Sequence, residues 1–413
     1  MTRRAFGDLG GRALWVVLGC LICQLGLGFG YATAPLLTDI TAALDIPRAV
    51  FSTAGSIRLW VISLASPVLG ALVVRFGARP ILVAASLLLA PSFLWLSAMR
   101  EVWELYGANF VLGFVLLGFG DITVGAVVST WVTRGRGLAL GIVYTGSNLA
   151  GMILPPLVTA LAVAGSWRAA LAYIGMAGTL VILPFALFAV RERRAGDATA
   201  AADRDAAASL GEPPARDLDL RAALRTRSFW VLGLALAGFF FYMLGVLEHF
   251  IASLTDAGLS RQEAAGYFST AIGMGLLSKV SMGVVADRLS PKPAILIDYG
   301  LLTLSSLLLL ALPAQPFLKA FVVVFGFAYA ARDVVYPLAI AECFGVTQLA
   351  AIYGALMLVL APAGSLGQIF AAAVFDERGS YTLAFEAYAI VNALVFASLF
   401  FLRDEREQRP APA

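Results

Sequence analysis

About twelve apolar stretches of roughly 20 residues follow one another along this chain, each the length at which an α-helix crosses the hydrocarbon core of a bilayer. No water is at hand there for unpaired N–H and C=O groups, so a span of this length closes its backbone hydrogen bonds within itself, as a helix. The expected spans are 13–35, 51–74, 80–98, 104–131, 137–162, 169–190, 228–253, 264–285, 294–312, 317–342, 350–374 and 381–402. One segment breaks the pattern. Residues 191–226 are rich in Ala, Arg, Asp and Pro and poor in large apolar side chains, the composition of a flexible linker. It separates a six-span half, 1–190, from a second six-span half, 227–413. The expected fold class is an all-α membrane protein of twelve transmembrane helices in two pseudo-symmetric six-helix bundles.

Charge placement gives the orientation. Of 29 lysines and arginines, 20 fall on one side of the expected bilayer, 6 on the other and 3 within spans. Cations collect on the cytoplasmic side, so both termini and the linker are expected in the cytoplasm. The plasma membrane, here a bacterial inner membrane, is the expected location. Thr2-Arg3-Arg4-Ala5-Phe6 resembles a twin-arginine export motif, but the apolar run behind it is long enough to stay as a span. At 60% apolar and 13% charged residues the chain is no ordinary soluble domain. Its basic residues are scattered over short loops, which argues against nucleic acid as a partner. Cys20 and Cys23 form a CxxC inside the first span and read as small core residues.

The two halves repeat one another. Gly70, Arg75, Arg79 and Pro80 after the second span recur as Gly283, Arg288, Lys292 and Pro293 after the eighth, all at an offset of 213. Gly165-Ser166-Trp167 recurs as Gly379-Ser380-Tyr381. Two parallel six-helix repeats are a known carrier plan, in which the bundles rock about a site near the midplane.

On these motifs the chain resembles the major facilitator superfamily. Its loop motif is carried by Gly70, Arg75 and Arg79, with Val74 where the family has Asp, and by Gly283, Asp287 and Arg288 in the second copy. Nearly the whole chain takes part in the resemblance. A narrower one lies in Trp131 to Gly146, in Gly165-Ser166-Trp167-Arg168 and in Phe375-Asp376-Glu377-Arg378-Gly379-Ser380-Tyr381. These are similar to motifs of monocarboxylate transporters and their oxalate/formate-exchanger relatives. The resemblance implies that Lys279, in the middle of the eighth span, stands where those carriers use a cation to meet a substrate carboxylate. It also implies a departure: proton-coupled members have an Asp one turn earlier, where this chain has Gly275.

Charges inside a bilayer are expensive, at least ~2.5–3.5 kcal/mol each on insertion scales, so each needs a reason. Six lie well inside the expected spans: Arg58, Asp121, Glu248, Lys279, Arg332 and Asp333. Three cations against three anions also fits internal ion pairs that order the bundles. Lys279 and Arg332 are the expected substrate-binding cations. Tyr336 shares the Arg332 face at i+4, and the expectation sets both toward the cavity with Asp333 toward a neighbouring helix. Gln24, Gly28 and Tyr31 form a stripe on the first span, and Tyr144, Ser147 and Asn148 another on the fifth. Their neutral donors suit a carboxylate. Asp121, Asp333, Glu248, His249 and Arg58 are proton-coupling or gate candidates. For Arg58 and Glu248, near span ends, snorkelling to the interface is equally open. Glycines 113, 118, 120 and 125 suggest close helix packing.

The expected function is a secondary active transporter of small organic anions, mono- or dicarboxylates, that works by alternating access on a proton gradient or by anion exchange. Such a chain would hold a complete pathway as a monomer. The alternative is a proton-coupled exporter of drugs or other lipophilic or cationic compounds, with Asp121, Glu248 and Asp333 as its acids. A sensor or scaffold would need more soluble surface than one linker and short tails. No nucleophile–base pair or metal cluster suggests an enzyme, a metal or a cofactor, and no GxxxxGK[ST] loop suggests an ATP-driven pump.

Overall fold

The computed structural model describes residues 11–132, 136–191, 217–289, 291–345 and 349–406. The double-arginine segment, most of the expected linker and the far C-terminus lie outside them. The described chain is helical throughout.

The first span is α1 (Arg12–Gln24), two short 3-10 segments (Leu25–Tyr31 and Ala34–Leu36) and α2 (Leu37–Leu44). Next come α3 (Arg48–Phe76), α4 (Ala78–Ala98), α5 (Val102–Gly118), α6 (Asp121–Trp131), α7 (Arg136–Ala164) and α8 (Trp167–Phe188). The second half has a short α9 (Leu220–Ala223), then α10 (Arg227–Asp256), α11 (Arg261–Leu289), α12 (Pro291–Leu309) and α13 (Gln315–Phe344). It ends with α14 (Leu349–Met357), α15 (Leu360–Arg378) and α16 (Thr382–Leu399).

Among the described residues, 10 helical stretches are long and apolar enough to cross a membrane. The two other long helices are α11, at 29 residues, and α13, at 30. At about 1.5 Å per residue each exceeds the hydrocarbon thickness. They carry Lys279, Arg332 and Asp333, the charges of the candidate site.

Helix ends follow local chemistry. Gly77, between α3 and α4, has φ 87°, a left-handed conformation that a side chain would resist. Gly345 ends α13 with φ 92°. Ser166 caps α8 by accepting from the Ala169 N–H at 3.1 Å. Asp219 caps α9 from the Ala222 N–H at 2.7 Å. Leu218 donates its N–H to the Phe344 carbonyl at 2.9 Å. Packed structure at Leu218 and α9 therefore falls inside the stretch that composition reads as linker.

Packing divides the chain into two compact units: Met1–Ile46 with Ile57–Leu210, and Pro47–Ser56 with Gly211–Ala413. In the first, α4 packs on α8 and α5, and α7 packs on α1 and its 3-10 continuation. In the second, α12 packs on α13 and α16, α11 on α13, and α10 on α15. The α1–α7 and α10–α15 pairs, and the α4–α8 and α12–α16 pairs, occupy equivalent places in the repeat. Small residues permit the approach. A Cβ on Gly113 would lie 2.8 Å from Val61, and one on Gly118 the same distance from Ala85. Cys20 and Cys23 are fully buried in α1, as core residues.

Candidate substrate site

The second unit gathers its charges at one place. The Asp333 carboxylate on α13 receives Lys279 Nζ from α11 at 3.2 Å and Arg332 Nη2 from its own helix at 2.9 Å. Consecutive helical residues point about 100° apart, yet the long guanidinium stem closes that angle. Exposure differs across the cluster: 9% for the Arg332 side chain, 16% for Lys279 and 42% for Asp333. The expected orientation is thus reversed. Asp333 is on the open side. Arg332 points inward, its guanidinium carbon 4.7 Å from the Phe239 ring centre and 5.3 Å from that of Phe240. Tyr336 is wholly buried and donates its hydroxyl to the Leu232 carbonyl at 2.7 Å. It is packed against α10 and is not free to meet a ligand. The tyrosine beside Arg332 is instead Tyr353 on α14, whose hydroxyl accepts from Nη1 at 3.3 Å. Spacing within α13 could not point to a residue on another helix.

One fully buried acid joins this neighbourhood that the span reading passed over. Asp298, on α12, has neither carboxyl oxygen hydrogen-bonded among the described residues. The signal was present as a lone acid in Ile295-Leu296-Ile297-Asp298-Tyr299-Gly300-Leu301-Leu302.

In the first unit two helix breaks meet. Gln24 is the last residue of α1 and Asp121 the first of α6. The Gln24 amide donates to Asp121 Oδ1 at 2.7 Å. Tyr144 on α7 donates to the Asp121 backbone carbonyl at 3.3 Å. An acid in a first helical turn suits the partial positive charge there. The stripe expected from Gln24, Gly28 and Tyr31 assumed α periodicity. Leu25–Tyr31 is a 3-10 helix, at about 3.0 residues per turn, so the three do not share one face. Gly28 serves packing, since a Cβ there would meet Ala150 and the Ser147 carbonyl. Asn148 is buried on α7 and Tyr31 is half-buried.

The remaining candidates have partners of their own. Arg58 Nη1 reaches the Gly30 carbonyl at 3.4 Å and Thr33 Oγ1 at 3.5 Å. Glu248 is 5% exposed, so it does not snorkel, and its Oε1 is 3.8 Å from His249 Nε2. His249 is held from both ring nitrogens, by the Tyr381 hydroxyl at 3.1 Å, the Gln368 carbonyl at 3.1 Å and Ser52 Oγ at 3.2 Å.

The model of the major facilitator superfamily matches residues 18–331. The chain belongs to that superfamily. It is 28% identical over 402 residues to monocarboxylate transporter 11 of Homo sapiens, covering 93% of this chain and 82% of that protein. It is 24% identical over 424 residues to the nitrite extrusion protein of Bacillus subtilis strain 168, covering 97% of this chain and 95% of that one. Among solved structures it resembles a bacterial homolog of the human lysosomal transporter Spinster in an inward-facing and occupied conformation. That likeness has a TM-score of 0.77 at 15% identity, covers 98% of this chain and 100% of the other, and bears on the fold. The protein is a multi-pass membrane transporter of this superfamily.

Within a facilitator chain the recurrent turns acquire physical roles. Gly70 and Arg75 lie on α3, where Arg75 stacks on Phe76 at 5.0 Å, and Arg79 in α4 donates to the Leu187 carbonyl. Gly283, Asp287 and Arg288 lie in the last turns of α11, with side chains outside the described set. The turn from Phe375 to Tyr381 receives the start of α3, which packs with the second unit. Asp376 accepts from the backbone N–H of Arg48 at 3.0 Å and of Ala49 at 2.8 Å, capping α3. The Arg48 guanidinium lies 3.6 Å from the Phe375 ring centre and donates to Tyr381 at 2.6 Å and Asp256 at 2.6 and 3.0 Å. As a loop cation, Arg48 carried no sequence signal of this role. In the first unit, Arg168 holds the carbonyls of Ser97 and Met99 at the end of α4.

Proposed function

We propose that the protein is a secondary carrier of small organic anions, with Lys279 as the first counter-charge to the substrate carboxylate. One observation carries the reading. Two cations, Lys279 and Arg332, share the single carboxylate of Asp333, which leaves this trio one positive charge in excess. A monoanion supplies the missing charge, and lysine's rotatable ammonium can swing from Asp333 to a ligand while the buried guanidinium keeps its place. The names of two relatives fit this chemistry, since monocarboxylates and nitrite are both small anions. Alternating access, coupling to protons or a second anion, and a cytoplasmic location of both termini belong to the same proposal, as does the bacterial inner membrane.

The test is uptake of labelled acetate, lactate, pyruvate, oxalate, formate and nitrite into proteoliposomes, with and without an inward proton gradient, for the wild type and Lys279→Ala. Uptake of at least one anion that is lost in the variant is expected. Undiminished uptake by Lys279→Ala overturns the site. Transport of lipophilic cations in place of any anion overturns the substrate class in favour of a drug exporter.

A further inference from the structure

Asp298 has no function so far, and its setting is the most demanding of any acid described. It lies eight residues into α12, fully buried, with both carboxyl oxygens lacking a donor among the described residues. An ionised carboxylate without hydrogen bonds inside a membrane bundle is among the costliest arrangements a protein can hold, whereas the neutral acid loses far less on burial. Of the charged groups within electrostatic reach of it, Arg332 has a buried Nε–H without a partner among the described residues.

The surroundings limit what can act on this carboxyl. From α13 the charges within electrostatic reach are Arg332 and Asp333. On α11, Lys279 is engaged with Asp333. The side chains of Asp287 and Arg288, farther along that helix, are outside the described set. On its own helix Tyr299 is buried with a hydroxyl lacking a partner, and Tyr353 of α14 is bonded to Arg332. On the α16 side Phe396 faces Gly300, where an added Cβ would lie 3.5 Å from its ring. Thr303, about 7 Å along the axis from Asp298, donates its hydroxyl to the Asn392 backbone carbonyl, and the Asn392 side-chain amide is buried without a partner among the described residues. The titratable residues of α16, Glu386 and Tyr388, lie farther still, and Tyr388 donates to the Gly367 carbonyl.

We propose that Asp298 is a proton site that controls the charge of the anion cluster. The proposal rests on the organic-anion reading above and names how that site is regulated. With Asp298 neutral, Lys279, Arg332 and Asp333 sum to one positive charge and accept a monoanion. When the Asp298 O–H bond breaks, its electron pair stays on the carboxylate and the proton passes to water on one side of the membrane. The new carboxylate takes the free Nε–H of Arg332. The four groups then sum to zero, and the anion is released. Nothing is oxidised or reduced, and charge balances at each stage.

The sign follows directly. Low pH keeps Asp298 neutral and favours anion binding; high pH ionises it and weakens binding. Asp298→Asn fixes the neutral state, so it binds the anion at every pH as the wild type does at low pH. Asp298→Glu keeps the pH dependence. Two readouts on the purified full chain decide. The first is infrared spectroscopy at neutral pH, without substrate. The wild type shows the C=O stretch of a protonated carboxylic acid, shifted by isotopically labelled aspartate and missing in Asp298→Asn. Absence of that band in the labelled wild type overturns the proposal whether or not any variant folds. The second is the pH dependence of binding of the anion that the wild type transports, expected to fall at least tenfold between pH extremes in the wild type and to be flat in Asp298→Asn. An unchanged pH profile in a folded Asp298→Asn protein overturns the proposal and leaves the carrier reading standing. If no anion is transported, the carrier reading fails, and the infrared band alone decides whether Asp298 holds a proton.

Discussion

Asp333→Asn isolates what the central carboxylate does for the two cations beside it. The amide keeps the shape of the side chain, so no cavity contribution enters. What is lost is charge. Removing one member of a fully buried ion pair costs about 3–5 kcal/mol, whereas an exposed pair contributes about 0.2–1 kcal/mol. The Arg332 contact, at 2.9 Å, joins a 9% exposed cation to a 42% exposed anion and lies between these limits. A loss of about 1.5–3 kcal/mol is expected from it, the range for a hydrogen bond to a charged group. The Lys279 contact is longer, at 3.2 Å, and more open at both ends, so it belongs near the exposed limit. Asp333→Asn should therefore destabilise the purified protein by about 2–4 kcal/mol in total, most of it through Arg332. The assay is a double-mutant cycle with Lys279→Ala, read by denaturant unfolding in detergent micelles. The coupling between Lys279 and Asp333 should come out below about 1 kcal/mol. A neutral or stabilising Asp333→Asn would show that Arg332 does not depend on this carboxylate. A coupling well above that bound would make Lys279 its principal partner, and the reasoning that frees Lys279 for a substrate would fail.

Two further outcomes follow from the packing. Asp376→Ala removes the acceptor for the Arg48 and Ala49 N–H groups, and loss of such a cap should lower stability by about 0.5–2 kcal/mol in the same unfolding assay. Gly326→Ala drives a methyl group into the Ala271 backbone on α11. Overpacking of this kind costs about 1–3 kcal/mol, more than the roughly 1 kcal/mol gained in helix propensity, so a lower melting temperature and a lower yield of folded protein are expected.

The spans were legible because the bilayer imposes a length and a composition on every one of them. Their interruptions were not. Gln24, Gly28 and Tyr31 have α spacing, but Leu25–Tyr31 winds as a 3-10 helix, a choice settled by packing against α7. The weight given to Lys279 and Arg332 came from the cost of charge in hydrocarbon, a local property. Which groups they meet is a property of neighbouring helices. Tyr353 could not be found from α13, and Tyr336 looked available only because α10 was not yet beside it. The burial of Asp298 is not legible in the sequence for a related reason. It stands five residues inside the expected start of its span, where an acid can be taken for an interfacial one, and its burial becomes visible once α13 and α16 flank it.

The internal repeat duplicates the backbone plan without duplicating the chemistry. Asp121 and Asp333 stand at nearly equivalent places in the two halves, and sequence symmetry alone would give them one role. Asp121 starts a helix and accepts from a neutral amide. Asp333 lies mid-helix and receives two cations. At Asp121 the partial positive charge of the helix N-terminus favours the carboxylate. A carboxylate between an ammonium and a guanidinium is part of a set whose net charge changes with any proton or anion that joins it. The second unit therefore holds a charge that can be adjusted. In the proposed carrier, recognition of the anion and its coupling to a proton both fall to α11, α12 and α13, the same helices in which apolar composition gives way to ionisable side chains.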